Sequence, residues 1–259
     1  MGILNVTPDS FYDGSKYNAI DTALFRVEKM LEEGADIVDI GGESTRPDHK
    51  KISLKEEIYR TQPIIFEIKK RFPSLPLSID TTKSQVAKMA MDAGVDMVND
   101  IWGLLSDREM AGIIAKAKIP VVLMHNRNEA KYDNLIQEIK DDLTVSINTA
   151  LKAGIAKDKI ILDPGIGFGK TAEHNLECIA KLNEITALGY PVLLGASNKS
   201  FIGKVLNAEI DERLIGTCAV TAFTAIHSIA FIRVHEIKEN KQTIDMIRAI
   251  KKYGKEKHS

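Results

Sequence analysis

Ile160-Ile161-Leu162-Asp163-Pro164-Gly165-Ile166-Gly167-Phe168-Gly169-Lys170 runs from apolar residues into a carboxylate and then into a glycine-rich turn that carries one aromatic and one lysine. Branched apolar residues ending in Asp and then Pro-Gly read as a buried strand whose last side chain points into a loop. Taken alone, the stretch is equally an ordinary turn with a capping Asp, since Asp, Pro and Gly favour turns on geometric grounds. What decides is whether other strands end the same way.

Further apolar runs lie at 2–6, 36–41, 75–80, 95–100, 119–125, 190–195 and 229–234, which with 160–163 makes eight. Segments of helical period separate them, at 19–33, 55–71, 83–93, 107–117, 134–153, 173–187, 212–227 and 240–253. Several close on glycine, at Gly34, Gly94, Gly154 and Gly189, as helix C-termini do. Strict β/α alternation implies a parallel sheet, and eight of each imply closure. The expectation is an α/β fold, a single (β/α)8 TIM barrel covering 1–259 as one domain, with its site at the C-terminal ends of the strands. The length of 259 residues agrees, such barrels running to about 250.

Composition narrows the function. Lys+Arg 35 against Asp+Glu 36 leaves a net charge of -1, so no basic field is available to hold nucleic acid, and an anionic ligand must be bound by local groups. Hydrophobic residues make up 44%, yet no apolar run approaches the roughly 18 residues of a membrane span, and no basic stretch with an apolar core precedes the first strand-like run. The two cysteines, Cys178 and Cys218, sit in helix-like patterns without CxxC spacing, which argues for core residues in a reducing cytoplasm.

The residues at the strand ends are Asn5, Asp39, Asp80, Asn99, His125, Asp163, Lys199 and Arg233 with His235. Any one of them is explained as a turn cap; burying so many without mutual or ligand partners would cost several kcal/mol. Carboxylates and amides suit a heterocycle with amine and ring N–H donors, such as a pterin or purine edge. Lys199, Arg233 and His235 suit an anion or carbonyl oxygen, while Phe168 and the Arg233 guanidinium are able to cover the faces of a flat ring. Asn5-Val6-Thr7-Pro8-Asp9-Ser10-Phe11 offers oxygens for Mg2+ and phosphate, because magnesium needs only one or two protein oxygens beside waters and phosphates. Gly41-Gly42-Glu43-Ser44-Thr45-Arg46-Pro47 reads as a phosphate clamp or, on its own, as a solvated turn.

Together with Ser78-Ile79-Asp80-Thr81, Val98-Asn99-Asp100-Ile101, Leu123-Met124-His125, Arg233-Val234-His235 and the opening stretch, those two loops closely resemble the dihydropteroate synthase family, from Met1 to about Ile237. The family joins 4-aminobenzoate to (7,8-dihydropterin-6-yl)methyl diphosphate, with Mg2+ as cofactor, and is the target of sulfonamides. The resemblance implies that Asp80, Asn99, Asp163 and Lys199 hold the pterin edge, with Met124, Phe168 and Arg233 around its faces. It implies Asn5 as the metal ligand, and Asn5, Thr45, Arg46, Arg233 and His235 around the diphosphate. Phe11, Pro47, Phe168, Lys199 and Ser200 would surround aminobenzoate, and Asp80, Lys199, Arg46, Arg233 and His235 would carry the chemistry. The small-residue helix 216–226 reads either as a face that packs against a second subunit, as in the family's dimers, or as a wholly intramolecular helix facing the barrel.

The chain departs from the family pattern at Asn198, where the Ser-x-Lys turn usually has arginine, at Asp48 in place of glycine, and at Glu236 in place of Asp or Asn. The strand that opens the barrel also begins at Met1, where relatives carry a short extension. Two other readings follow: a pterin-dependent methyltransferase domain, which has no need of the diphosphate loops, and a non-catalytic pterin-binding paralogue, motivated by Asn198 and Asp48.

Overall fold

In the computed structural model, residues 1–6, 16–43 and 51–255 are described. The strands are β1 (Gly2–Asn5), β2 (Val38–Gly41), β3 (Leu77–Asp80), β4 (Met97–Asp100), β5 (Val121–Met124), β6 (Ile160–Asp163), β7 (Leu193–Leu194) and β8 (Phe231–Ile232). The first six pair in sequence order, all parallel, and β7 pairs with β8. Two single bridges complete the ring, Leu162 to Val192 and Gly2 to Val234. At the second, Ile3 N–H donates to Val234 O at 3.0 Å and Val234 N–H to Met1 O at 3.0 Å. The expected barrel is therefore closed.

Side chains alternate across each strand with period two, and both sides of this sheet are filled. Leu4, Val38, Ile40, Leu77, Ile79, Val98, Val121, Leu123, Ile160, Leu162 and Leu194 join the main core beneath the helices. The opposite parity points into the barrel, where Met97, Val122, Ile161 and Leu193 pack as a separate cluster. Asp39 and Ser78 belong to that inward set and are fully buried. One step further along each strand the inward positions are Asn5, Gly41, Asp80, Asn99, Met124 and Asp163. The inward layer below the strand ends is thus apolar except at Asp39 and Ser78, and the layer where the strands finish carries Asn5, Asp80, Asn99 and Asp163.

Around it run α1 (Lys16–Glu32), α2 (Leu54–Arg71), α3 (Ser84–Asp92), α4 (Met110–Ala117) and α5 (Leu135–Lys152), followed by α6 (Ala172–Ala180), α7 (Leu182–Thr186), α8 (Ser200–Leu206), α9 (Leu214–Ile226) and α10 (Ile237–Lys255). In α2 the buried stripe includes Ile64, Ile65 and Ile68, each contributing about 1.5–3 kcal/mol by burial. Ser53 caps α2 by accepting from Glu56 N–H, and Asn134 caps α5 by accepting from Gln137 N–H. The stretch expected as one helix over 173–187 is two, broken at Lys181 (φ -106°, ψ 25°). The helix α8 lies beyond the eight expected; it ends at Asn207 in the left-handed region (φ 51°), which Asn tolerates better than most residues.

Candidate functional site

A pocket at the strand ends is lined by Asp80, Asn99, Ile101, Met124, Asp163, Phe168, Gly195, Lys199 and Arg233. Five of these are the inward side chains of β3, β4, β5, β6 and the residue after β8; Gly195 and Ile101 complete the wall. Counting by two reaches Gly195 from Leu193 and Ile101 from Asn99, each one residue past the end of its strand, so period-two alternation marks both positions in the sequence.

Arg233 is the electrostatic centre. Its Nε donates to Asp39 Oδ2 at 2.6 Å and its NH2 to Asp80 Oδ2 at 2.8 Å. Asn99 Nδ2 donates to the same Asp39 oxygen at 3.1 Å. Asp39 therefore sits one layer below the mouth, under Arg233, while Gly41 takes the strand end, so the expectation of Asp39 at the mouth itself is corrected by one layer. Burial pushes Asp80 up to about 7; Arg233 opposes the rise, and Asp39 adds to it. Burial also raises Asp163, against Lys199 and the Gly165 amide. Lys199 is brought down to about 8 by burial, with Asp163 opposing.

The turn after β6 shapes the pocket's remaining wall. Asp163 Oδ1 accepts from Gly165 N–H at 2.7 Å. At Gly165 (φ +71°) a Cβ would stand 1.9 Å from His125 O, and at Gly169 (φ +53°) one would stand 2.4 Å from Arg127 O, so both positions require glycine. Lys170 pins the turn from behind, donating to Gly165 O at 3.0 Å, Phe168 O at 3.1 Å and His125 Nδ1 at 2.8 Å. All three ammonium protons are then used. His125 in turn meets Asp142 Oδ2 through Nε2 at 3.2 Å. Burial and the neighbouring Lys170 hold His125 down to about 3, so the imidazole is neutral and accepts at Nδ1. His125, expected among the strand-end groups at the mouth, is instead a brace behind the loop, because it follows inward-facing Met124 and so takes the outward parity.

Lys199 precedes the first turn of α8, its ammonium 4.7 Å from the centre of the Phe168 ring and donating to Ile166 O. Between these side chains the open space is about 20 Å³, room for a single water. A flat bicyclic ligand needs more room than this arrangement of side chains leaves.

The profile of the family described as pterin binding enzymes matches residues 1–235. A dihydropteroate synthase of Clostridium beijerinckii is 51% identical over 247 residues, covering 95% of this chain and 91% of that protein. The chain belongs to the dihydropteroate synthase branch of the pterin-binding enzymes. Its Bacillus subtilis relative, another dihydropteroate synthase, is 45% identical over 98% of this chain and 89% of its own length. Among solved structures, the Clostridium difficile dihydropteroate synthase determined with pteroic acid superposes with a TM-score of 0.94 at 48% identity, covering 96% of this chain and 95% of that one. The Xanthomonas albilineans enzyme with 4-aminobenzoic acid gives 0.93 at 37% identity, covering 97% and 92%.

Of the site residues expected for this pterin-binding enzyme, Asp80, Asn99, Met124, Asp163, Phe168, Lys199 and Arg233 come together around one pocket. Ser200 is exposed at the first turn of α8, next to Lys199. His235 sits beside Ser197, which meets its Nδ1 at 2.8 Å. Phe11, Thr45, Arg46, Pro47 and the departure at Asp48 lie outside the described residues. For magnesium, no group of three or more His, Cys, Asp or Glu that would hold a cation occurs among the described residues. Asn5 Oδ1 borders Gly41 at the end of β2, 3.6 Å from a Cβ built there, while the nearby Asp80 Oδ2 is held by Arg233 NH2 at 2.8 Å. Hard oxygens in such small number fit an ion that keeps its waters and arrives with phosphate.

Proposed function

We propose that the chain joins (7,8-dihydropterin-6-yl)methyl diphosphate to 4-aminobenzoate, releasing diphosphate, as a transferase of folate biosynthesis. The observation that carries this reading is one pocket at the strand ends lined by Asp80, Asn99 and Asp163 together with the cations Lys199 and Arg233, in a chain 51% identical to a dihydropteroate synthase. Asp163 and Asn99 take the amine and ring N–H edge of the pterin, and Met124, Phe168 and the Arg233 guanidinium cover its faces. Lys199 donates to the pterin carbonyl after leaving Ile166 O, and with Phe168 and Ser200 it borders the aminobenzoate.

The reaction is dissociative. The bond between the pterin methylene carbon and the bridging diphosphate oxygen breaks, and its electron pair leaves with diphosphate. The methylene cation, conjugated with the electron-rich ring, is steadied by the Asp80 carboxylate. The aniline nitrogen then closes the C–N bond and loses its proton to water. Asn5 would hold Mg2+, which when bound neutralises charge on the departing diphosphate. Arg233 and His235 meet the same anion.

The test is a coupled assay for diphosphate release with both substrates and Mg2+. Turnover is expected, whereas binding of the pterin diphosphate without turnover would establish the non-catalytic paralogue instead. Because burial holds Asp80 at about 7, kcat/KM for the pterin substrate is expected to fall on the acid side of that value, approaching tenfold per pH unit. A flat profile between about pH 5.5 and 8 would remove Asp80 from this role.

The enzyme is proposed to be a cytoplasmic homodimer. Among the described residues no helix is long and apolar enough to cross a membrane, and the two cysteines are free. Ile215, Phe223 and Ile226 on α9, with Met246 and Ile250 on α10, leave an exposed apolar face on two helices that pack together. A second copy would cover it. Sedimentation equilibrium is expected to give twice the 28.7 kDa chain mass; a monomer at micromolar concentration would overturn the dimer.

A further inference from the structure

Two of the positions that depart from the family pattern, Asn198 and Glu236, are bonded to each other. Asn198 Nδ2 donates to Glu236 Oε1 at 2.9 Å. Asn198 stands at φ +57°, a conformation that Asn tolerates, and is tied on every side. Its N–H donates to Thr217 Oγ1 at 3.2 Å, its carbonyl accepts from Arg213 NH1 at 3.0 Å, and its side-chain oxygen accepts from Thr217 Oγ1 at 3.4 Å. The Asn198 amide is therefore a fixed donor that sets one oxygen of Glu236 and turns the other toward Ser197.

The second oxygen meets Ser197 Oγ at 3.3 Å, and the same hydroxyl lies 2.8 Å from His235 Nδ1 and accepts from His235 N–H at 3.2 Å. Ser197 is buried, with 6% of its surface exposed, so water offers it little substitute. Proton counting then fixes the arrangement. A hydroxyl has one proton and an ionised carboxylate has none, yet there are two contacts to supply, Oγ to Oε2 and Oγ to Nδ1. If the hydroxyl proton went to Nδ1, two oxygen lone pairs would face each other at Glu236. Both contacts become hydrogen bonds only when the Ser197 hydroxyl donates to Glu236 and His235 carries a proton on Nδ1.

We propose that Glu236, held by Asn198, acts through Ser197 as a positioning group for His235, fixing the Nδ1-protonated ring and favouring the imidazolium when an anion sits at Nε2. The hydroxyl passes the carboxylate's negative charge toward the ring, so the doubly protonated form is the one the relay stabilises. Nε2 then carries an N–H for a diphosphate oxygen. The neutral ring in this arrangement presents only a lone pair there, which would repel the anion. The inference rests on His235 meeting diphosphate, as proposed above.

The test uses the full-length chain labelled with 15N at histidine, with the His235 signal assigned by its loss in His235→Gln. In the neutral ring the couplings are expected to report Nδ1–H in the unaltered protein and a shift toward Nε2–H in Ser197→Ala. An Nε2–H ring in the unaltered protein, or no change in Ser197→Ala, would overturn the relay. In kinetics, Glu236→Gln is expected to raise KM for the pterin diphosphate and Ki for inorganic diphosphate about tenfold, the scale of losing an outer partner of a functional imidazole. KM for 4-aminobenzoate is expected to stay within about twofold, and Glu236→Asp to recover part of the loss. Equal loss for both substrates would mark Glu236 as merely structural and overturn the positioning role. Unchanged diphosphate binding in His235→Gln would remove the reading beneath it, while the tautomer alone continues to decide the relay.

Discussion

Asp163→Ala is expected to lower affinity for the dihydropterin diphosphate by about 10²–10⁴-fold. The carboxylate is 6% exposed, and its Oδ1 is committed to the Gly165 amide, leaving Oδ2 for a ligand in the pocket it lines. A pterin edge offers an amine and a ring N–H side by side. Two hydrogen bonds to a charged acceptor contribute about 1.5–3 kcal/mol each, which sets the range given. The raised pKa works in the same direction: burial disfavours the bare carboxylate, and a ligand that donates to it removes that penalty on binding. Asp163→Asn separates recognition from loop structure, since its amide oxygen still caps Gly165 while its NH2 faces the ligand's donors. Both variants are expected to bind poorly in calorimetry. Near-normal pterin affinity in Asp163→Asn, with only the alanine variant impaired, would mean that Asp163 shapes the turn and does not read the ligand.

Much of this pocket is legible in the sequence because a barrel strand has only two faces. Once 160–163 is taken as a strand, Asp163 must point inward if Ile160 and Leu162 lie under the helices, and the same parity delivers Asp80 and Asn99. What defeats the reading is a single-residue slip at a strand's end. His125 follows Met124 as directly as Asp163 follows Leu162, yet the first lies outside the pocket and the second lines it, and no local residue type distinguishes them. Asp39 shows the same limit in depth. The run 36–41 is long enough to end at either Asp39 or Gly41, and only the register with Asp80 places Gly41 at the mouth. Short elements fail for a different reason. The segment Ser200–Leu206 spans two turns, too few for a periodic apolar pattern, and its position is set by Lys199 at one end and the left-handed Asn207 at the other. The relay through Ser197 to Glu236 joins residues 39 apart, and no pattern within a strand or helix announces it.

Arg233→Met is expected to destabilise the fold by about 3–5 kcal/mol at neutral pH and to remove activity. The guanidinium is the partner of two buried carboxylates, so its loss leaves Asp39 and Asp80 facing each other inside the barrel. Asp39 Oδ1 has no hydrogen-bond partner among the described residues, which leaves little to absorb the change. The charge imbalance gives the deficit a pH signature. Asp80 already stands at about 7 in the folded chain against an ordinary 3.8, and without Arg233, which lowers it, the value rises further. A folded-state pKa above the unfolded one means the group's contribution is fully present below about pH 4 and is lost as pH climbs through the folded value. The deficit of Arg233→Met relative to the unaltered chain should therefore grow from about pH 5.5 to 8, as measured by denaturant unfolding. Adding Asp39→Asn to Arg233→Met removes one of the stranded charges, and it is expected to recover part of the stability without recovering turnover, because the guanidinium proposed to meet pterin and diphosphate is still missing. A deficit of the same size at both pH values, or a double variant no more stable than Arg233→Met, would show that Arg233 matters to the fold through packing and not as the counter-charge of Asp39 and Asp80.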